Sequence, residues 1–190
     1  MPSARLIVIS GPSGCGKTTI SRELLRRHPE IEFSVSATTR ARRTREQNGK
    51  DYFFLTQEEF KSKIQDKELV EWELIYDDYY GTLKSEIDRA LRSGKQMLFD
   101  VDVKGALSIK RNYPQETVLF FIKPPSMEVL KQRLERRKTE SEASLQKRLG
   151  RVPMELAQEK NFDFSVVNDD ISRAVQEVES ILGLNTEPRA

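Results

Sequence analysis

The sequence predicts an α/β fold: a three-layer core with helices on both faces of a parallel sheet, an inserted α+β lobe and a helical lid. Three observations support this prediction: apolar runs that do not alternate with polar residues, helix-compatible stretches between those runs, and two segments that interrupt the rhythm. A run that is apolar throughout indicates a strand buried on both faces, as in a parallel sheet. The length of 190 residues suits one domain with small insertions.

The core elements begin with residues 6–9, LIVI, which predict the first buried strand. A glycine-rich turn follows, and then a helix that continues to Arg27 because Pro29 stops it. Later strands are predicted at 97–101, 117–122 and 164–167. The last helix has apolar residues at helical spacing on one face, namely Ile171, Ala174, Val178, Ile181 and Leu182. This alternation of strands and helices predicts a core made of about 1–33, 83–125 and 160–190.

The first interruption, at about 34–82, predicts the inserted α+β lobe. Thr56 and Glu59 have the spacing of a capping box, so they predict the start of a short helix within it. The strand-like pieces of the lobe and its border are 33–36, 52–55 and 69–75.

The second interruption, at about 126–159, is helical and rich in arginine, and it predicts a mobile lid. Thr139 and Glu142 repeat the capping-box spacing, which predicts that a helix restarts there. Pro153 has no amide hydrogen, so we expect it to kink or interrupt this second helix.

The composition limits which classes of binding partner and which cellular compartment we expect. Lys plus Arg total 32 and Asp plus Glu total 30, so the net charge of +2 gives no general attraction to nucleic acid or to a membrane surface. No apolar stretch of the sequence reaches membrane-spanning length. Cys15 is the one cysteine, which excludes an intramolecular disulfide and favours a reducing cytoplasm. We therefore expect a cytoplasmic monomer or small homo-oligomer that binds no nucleic acid and no membrane.

Residues 11–18, GPSGCGKT, fit the phosphate-loop pattern G-x-x-x-x-G-K-[ST] in full. In such loops backbone N–H groups surround the phosphates, and the following helix directs its positive end at them. A chance glycine-rich turn is the alternative, but the position between a strand and a helix favours a P-loop NTPase core. Lys17 is expected to reach the β- and γ-phosphates of ATP, and the Thr18 hydroxyl to bind Mg²⁺. The predicted ATP-binding residues of the loop are Gly11, Pro12, Ser13, Gly14, Cys15, Gly16, Lys17 and Thr18.

Cys15 has two interpretations. A thiol near a helix N-terminus can be unusually acidic and therefore reactive. The simpler interpretation is a small residue that fits a variable position of the loop, and this is the one we favour.

A basic segment follows the strand-like piece near residue 35. Residues 40–45 carry four arginines in six positions. Such a run is usually a solvated turn, but arginine is also the side chain best suited to bidentate phosphate binding. Tyr52 comes after a nearby turn and offers a hydroxyl donor to the same phosphate.

Three carboxylates indicate base recognition and metal binding. Glu71 lies in an otherwise apolar predicted strand, so it either faces solvent or accepts hydrogen bonds from a ligand with adjacent N–H donors, such as guanine. Asp100 and Asp102 end a buried strand and share one strand face. Open α/β sheets bind ligands at the carboxyl ends of their strands, where P-loop enzymes place an acidic partner for Mg²⁺.

With these motifs in order, the sequence resembles the guanylate kinases over residues 4–183, and the combination is highly specific. The matching features are the phosphate loop, Ser36, Thr38-Thr39-Arg40 with Arg43, NGKDY at 48–52, Glu71-Trp72, Tyr80-Gly81-Thr82, Asp100-Val101-Asp102, the lid arginines and Asn168-Asp169-Asp170.

The resemblance implies transfer of the γ-phosphoryl group of ATP to GMP, and to dGMP as well, with Mg²⁺ as cofactor. The GMP phosphate would be held by Arg40, Arg43, Tyr52 and Tyr80 of the lobe. The guanine would be read by Ser36, Glu71, Thr82 and Asp102. The ATP phosphates would be bound by Arg133, Arg137 and Arg148 of the lid, with Asn168 beside the adenine. Mg²⁺ would be held by Thr18 and, through water, by Asp100. The catalytic cations would be Lys17, Arg40, Arg43, Arg137 and Arg148.

The sequence departs from the family pattern in two places. Arg42 and Arg45 stand where the family commonly has proline and glycine, which leaves the path of this loop and the aim of Arg43 open. In the lid, RVP at 151–153 replaces a stretch usually rich in small helix formers. Arg151 could therefore substitute for Arg148 or supplement it.

Two alternatives stay open at this point. Guanylate-kinase-like domains of scaffold proteins bind phosphopeptides without catalysis, but they usually have a damaged phosphate loop, whereas Lys17 and Thr18 are present here. Ribose 1,5-bisphosphate kinases share the loop and the core, but they would not need Glu71 and Asp102 together as guanine readers. The acceptor that takes phosphate from ATP distinguishes the three.

Overall fold

The computed structural model describes residues 5–44, 46–75, 77–135 and 142–184. Within these residues the core sheet has five strands, all parallel, which confirms the predicted α/β core. In spatial order the strands are β2 (Glu32–Phe33), β7 (Met97–Asp100), β1 (Leu6–Ser10), β8 (Thr117–Lys123) and β9 (Phe164–Val167).

Helices cover both faces of this sheet. One face packs against α1 (Lys17–Arg27) and α7 (Ile171–Leu182), and the other against α3 (Lys84–Ser93) and α4 (Val103–Asn112). Alternate residues of β1 pack on opposite faces of the sheet. Ile7 and Ile9 belong to the apolar cluster on the α1 and α7 face, and Leu6 and Val8 to the cluster on the α3 and α4 face. All four side chains are fully buried. Burial on both faces is the physical reason for the unbroken apolar run.

A second, smaller sheet lies between β2 and α3 in the chain. Its strands, in spatial order, are β4 (Phe53–Phe54), β3 (Ala37–Thr38), β6 (Asp78–Leu83) and β5 (Leu69–Ile75). The helix α2 (Gln57–Gln65) begins at the predicted capping box. Thr56 Oγ1 accepts from the Glu59 amide at 3.1 Å, and the Glu59 carboxylate accepts from the Thr56 amide at 2.7 Å.

The strand predicted at 33–36 is wrong as a single element. β2 ends at Phe33, and β3 begins only at Ala37, in the other sheet. Between them the Ser34 amide donates to the Leu98 carbonyl of the core sheet at 2.9 Å. The Val35 amide donates to the buried Glu86 carboxylate of α3, also at 2.9 Å. The segment is therefore the passage from one sheet to the other.

No strand is predicted at 78–83, where the structure has β6. Gly81 in its centre is a residue that usually weakens strands. Here the sheet requires it, because a Cβ atom at Gly81 would lie 2.7 Å from the Glu71 carbonyl oxygen of β5.

The lid contains α5 (Met127–Glu135) and α6 (Glu142–Leu156), followed by a 3₁₀ turn (Glu159–Asn161). Thr139, the predicted helix cap, lies outside the described residues. Pro153 does not interrupt the helix, because α6 passes through it and ends at Leu156, and a kink there stays a prediction. Val152 holds this turn in place, since it is fully buried against Leu130 and Leu134 of α5. In the described part of the chain, no helix is both long enough and apolar enough to cross a membrane.

Candidate active site

The phosphate loop connects β1 to α1, and three of its glycines have a positive φ, of which Gly11 and Gly16 lie closest to their neighbours. Gly11 has a φ of 138°, and a Cβ atom there would lie 2.1 Å from the Ile122 carbonyl oxygen. Gly16 has a φ of 96°, and its Cβ would lie 2.2 Å from Asn168 Nδ2. The loop thus lies directly against β8 and against the end of β9.

Lys17 and Thr18 are the first two residues of α1, and both side chains point back toward the loop. Lys17 Nζ donates to the Gly11 carbonyl at 2.7 Å and to the Pro12 carbonyl at 3.2 Å. Thr18 Oγ1 donates to Asp100 Oδ2 at 2.6 Å. Asp100 reaches this place because β7 and β1 are parallel neighbours in which Asp100 pairs with Ile9.

A cavity of about 330 Å³ lies beside this pair of oxygens and is shared by core, lobe and lid. From the loop and the core it is lined by Gly11, Ser13, Lys17, Thr18, Asp100, Val101 and Asp102. From the lobe and the lid it is lined by Ser36, Tyr52, Glu71, Glu73, Ile75, Tyr80, Gly81, Arg148, Arg151 and Glu155. Most of the predicted acceptor residues therefore line one cavity together with the phosphate loop.

Arg40 does not line this cavity, but it lies next to the two predicted tyrosines, which do. Its guanidinium is 5.5 Å from the centroid of the Tyr52 ring, and the Tyr52 and Tyr80 ring centroids are 6.2 Å apart. Arg40 Nη2 pairs with Glu46 at 2.7 Å, and the same carboxylate accepts from the Arg43 amide at 2.8 Å. The Arg43 residue itself is exposed and does not line the cavity.

Glu46 is a part of this arrangement that no sequence pattern indicates. The hydrogen bond from Arg40 lowers the pKa of the Glu46 carboxyl. An ionised Glu46 holds Arg40 in place and leaves Arg42 and Arg43 exposed, which explains the path of the basic segment.

Glu71 faces the cavity from β5, and its orientation is set by β6. Thr82 is its partner across the two strands, and Thr82 Oγ1 donates to Glu71 Oε1 at 2.6 Å. Thr82 is fully buried, so its hydroxyl acts on Glu71 and not on the cavity surface. Burial raises the pKa of the Glu71 carboxyl, although the bond from Thr82 opposes this.

Asp102 lines the cavity, but one of its carboxyl oxygens caps a helix and the other, Oδ2, is buried. Oδ1 caps α4 by accepting from the Gly105 amide at 2.7 Å. Burial, and then the hydrogen bond with Glu73, raises the pKa of Asp102 to about 8. Burial opposes ionisation of Glu73 as well, but hydrogen bonds with Asp102 and Lys104 and the charge of Arg151 lower its pKa to about 2. The contact between the two carboxyls thus acts in opposite directions, since it raises the pKa of Asp102 and lowers that of Glu73.

The predicted lid and adenine-side residues surround the phosphate loop. Arg148 Nη1 donates to Ser13 Oγ at 2.8 Å. Arg133 Nη2 donates to the Asn168 carbonyl at 2.9 Å, and Asn168 Nδ2 donates to the Cys15 carbonyl at 2.7 Å. Asn168 is buried and supports the loop from outside the cavity. Arg137 lies outside the described residues.

Arg151 does not take the place of Arg148. Its Nη2 donates to Glu73 Oε1 at 3.0 Å and to Oε2 at 3.3 Å, on the lobe side of the cavity. Neither Glu73 nor this contact is indicated by any sequence motif.

Cys15 is the buried residue that the simpler interpretation expects. It is fully buried in the apolar cluster below the loop. Burial raises the pKa of its thiol, which is opposite to the acidic thiol considered from the sequence.

Comparisons with known proteins identify relatives of this arrangement. The family model described as guanylate kinase matches residues 3–184. The chain is 47% identical over 178 residues to the guanylate kinase of Chlorobaculum tepidum, covering 94% of this chain and 91% of that protein. It is also 47% identical over 178 residues to the guanylate kinase of Salinibacter ruber, covering 93% and 94%. The crystal structure of guanylate kinase from Anaplasma phagocytophilum matches with a TM-score of 0.77 at 28% identity, covering 98% of this chain and 89% of that one.

Proposed function

The chain belongs to the guanylate kinase family, and from this premise we propose that it transfers the γ-phosphoryl group of ATP to GMP, forming ADP and GDP. The observation that carries the proposal is the single cavity that combines the phosphate loop with the lobe residues expected to hold a nucleoside monophosphate. Donor and acceptor phosphates placed there would meet in line, inside the protein.

Positive charge surrounds the place of transfer. Phosphoryl transfer needs alignment and charge stabilisation more than covalent help. Lys17 would exchange its bonds to the Gly11 and Pro12 carbonyls for bonds to the β- and γ-phosphates. Arg148 reaches the same space from the lid, and Arg40 approaches from the lobe beside Tyr52. These cations would stabilise the charge that develops on the transferred group.

Mg²⁺ is the cofactor we propose, and the Thr18–Asp100 pair fits it. Mg²⁺ prefers oxygen ligands and usually keeps several waters. The two oxygen atoms are 2.6 Å apart and both residues line the cavity. Thr18 would bind the ion directly and Asp100 through water. When bound, the ion neutralises charge on the β- and γ-phosphates.

The base would lie against the lobe. Glu71, fixed by Thr82, would accept hydrogen bonds from the base at one wall of the cavity, and Asp102 and Ser36 line the cavity with it. Guanine carries adjacent N–H donors that such acceptors need, whereas adenine, cytosine and uracil would leave at least one buried acceptor unpaired. A site with unpaired buried polar groups rejects the wrong ligand strongly.

Two finer points complete the proposal. We include dGMP as an acceptor, because none of the residues assigned above is directed to the ribose 2′-hydroxyl.

We place the enzyme in the cytoplasm, because its one cysteine is free and buried and forms no disulfide.

A coupled assay of ADP release with MgATP tests the reaction. GMP, dGMP, AMP, CMP, UMP and ribose 1,5-bisphosphate are compared as acceptors with the same enzyme preparation. We expect rapid turnover with GMP and dGMP and none with the others. If only ribose 1,5-bisphosphate is phosphorylated, then this compound and not GMP is the acceptor. A folded protein that binds ATP and turns over none of them would contradict the kinase assignment and favour a phosphopeptide-binding domain.

A further inference from the structure

A group of charged side chains lies where the lobe, the lid and the core meet. Glu73 belongs to β5 of the lobe, Arg151 to α6 of the lid, and Lys104 to α4 of the core. Glu73 Oε1 is 3.0 Å from Arg151 Nη2 and 3.1 Å from Lys104 Nζ. Glu73 therefore joins all three parts of the molecule.

The Glu73–Arg151 contact differs from an ordinary surface ion pair. The Glu73 side chain is 15% exposed and that of Arg151 33%, and both line the cavity. Arg151 Nη2 lies within 3.3 Å of both carboxylate oxygens, which restricts its orientation. A partly buried contact of this geometry is screened less by solvent than a pair of exposed side chains.

Lys104 offers an internal comparison. It contacts the same Glu73 oxygen, but its side chain is 78% exposed and it belongs to the core. It therefore adds positive charge near Glu73 without linking the lobe to the lid.

The lid also contacts the phosphate loop. Arg148 of α6 donates to Ser13, three residues before Arg151 in the same helix. One turn of α6 thus has Arg148 at the donor side of the cavity and Arg151 at the lobe. A movement of this helix toward ATP phosphates would move both contacts together.

On the basis of the function proposed above, we propose that Glu73 and Arg151 are positioning residues that form a latch between lid and lobe. With the lid closed on ATP, the Arg151–Glu73 contact would hold the lobe in its GMP-binding position. ATP and GMP would then bind with positive cooperativity, which must be equal in both directions. Glu73 also contacts Asp102, so the latch orders the wall that reads the base.

Calorimetry measures this coupling. The dissociation constant of GMP is determined with and without a saturating non-hydrolysable ATP analogue, in the presence of Mg²⁺. For the wild type we expect the analogue to strengthen GMP binding at least about fivefold. In Arg151→Met the ratio of the GMP dissociation constants without and with the analogue should fall to within about twofold of unity. The reason is that the substitution removes a contact between lid and lobe. GMP affinity without the analogue should change little.

Lys104→Met is the matched control, and it should keep the wild-type ratio. Glu73→Gln and the double variant complete the test, because two residues that act as a pair give non-additive effects. The variant that carries both Glu73→Gln and Arg151→Met should have a ratio of GMP dissociation constants no smaller than that of Arg151→Met alone. Thermal melts verify that each variant is folded.

Several results would overturn the latch. One is that the ATP analogue leaves the GMP dissociation constant of the wild type unchanged although the enzyme phosphorylates GMP. This result would leave the proposed function intact. Another is an unchanged ratio in Arg151→Met with weaker binding of the ATP analogue alone, which would make Arg151 a phosphate ligand. A wild type that neither binds nor phosphorylates GMP would overturn the proposed function and the latch together.

Discussion

Gly105 provides the sharpest test of where the acceptor base lies. Gly105 is near the start of α4, and a Cβ atom there would lie 2.9 Å from Glu71 Oε2, 3.0 Å from Glu71 Cδ and 3.1 Å from Asp102 Oδ1. Ordinary contacts begin near 3.4 Å. The substitution Gly105→Ala should therefore displace both proposed guanine readers by several tenths of an ångström.

The size of the effect follows from the hydrogen bonds at risk. A hydrogen bond to a charged group contributes about 1.5–3 kcal/mol. Loss of one such bond to the base would weaken GMP binding about 10- to 150-fold. The backbone of Gly105 is helical, so alanine itself is favoured there by up to about 1 kcal/mol, and the fold should be retained.

Steady-state kinetics measure the outcome. The KM for GMP of Gly105→Ala is determined at saturating MgATP and should rise within that range, while the KM for ATP stays near the wild-type value. Gly150→Ala is the matched control, because Gly150 also lies in a helix and a Cβ there meets nothing within 4 Å. A wild-type KM for GMP in a folded Gly105→Ala protein would refute the assignment of this wall to the base.

The remaining predictions concern charge and metal. Lys17→Ala should lower kcat at least about 10²- to 10³-fold with an unchanged melting temperature, and near-normal turnover would contradict its role. Asp100→Asn should raise the Mg²⁺ concentration for half-maximal activity about 10- to 100-fold, as measured by titration with MgCl₂. An unchanged Mg²⁺ concentration for half-maximal activity would show that Asp100 is not part of the metal site. Because the pKa of Asp102 is raised to about 8, this carboxyl binds a proton in the native state and not in the unfolded state between about pH 4 and 8. The free energy of unfolding should therefore fall as pH rises through this window, by up to about 1.4 kcal/mol per pH unit, and Asp102→Asn should flatten the slope. Urea unfolding from pH 5 to 8 measures this, and equal slopes for the wild type and Asp102→Asn would contradict the raised pKa of Asp102.

Elements with strong local signals were predictable from the sequence. β9 occupies 164–167 as predicted, because its apolar run is bounded by Asp163 and Asn168. The phosphate loop was recognisable because phosphate binding requires its residues at fixed spacing. The helix of the lobe begins at Thr56 because the capping box is a local hydrogen-bond pattern.

Contacts between distant residues carried no such signal. Arg151 and Glu73 are 78 residues apart and meet because the lid packs over the lobe. Glu46 neutralises Arg40 in an irregular loop, where no periodicity marks the partner. Gly81 resembled a strand breaker in the sequence, and only the neighbouring backbone of β5 explains it.

The buried Glu86 carboxylate anchors the start of the lobe to the core. It accepts from the Val35 amide at 2.9 Å and pairs with Arg89 at 3.0 Å, so the chain is anchored to α3 up to Val35. Ser36 is the next residue, and its carbonyl accepts from the Phe53 amide of the lobe at 2.9 Å. Ser36 is also a lining residue that we assign to the guanine. The residue that we assign to the base is therefore the first one after the segment that Glu86 anchors to the core.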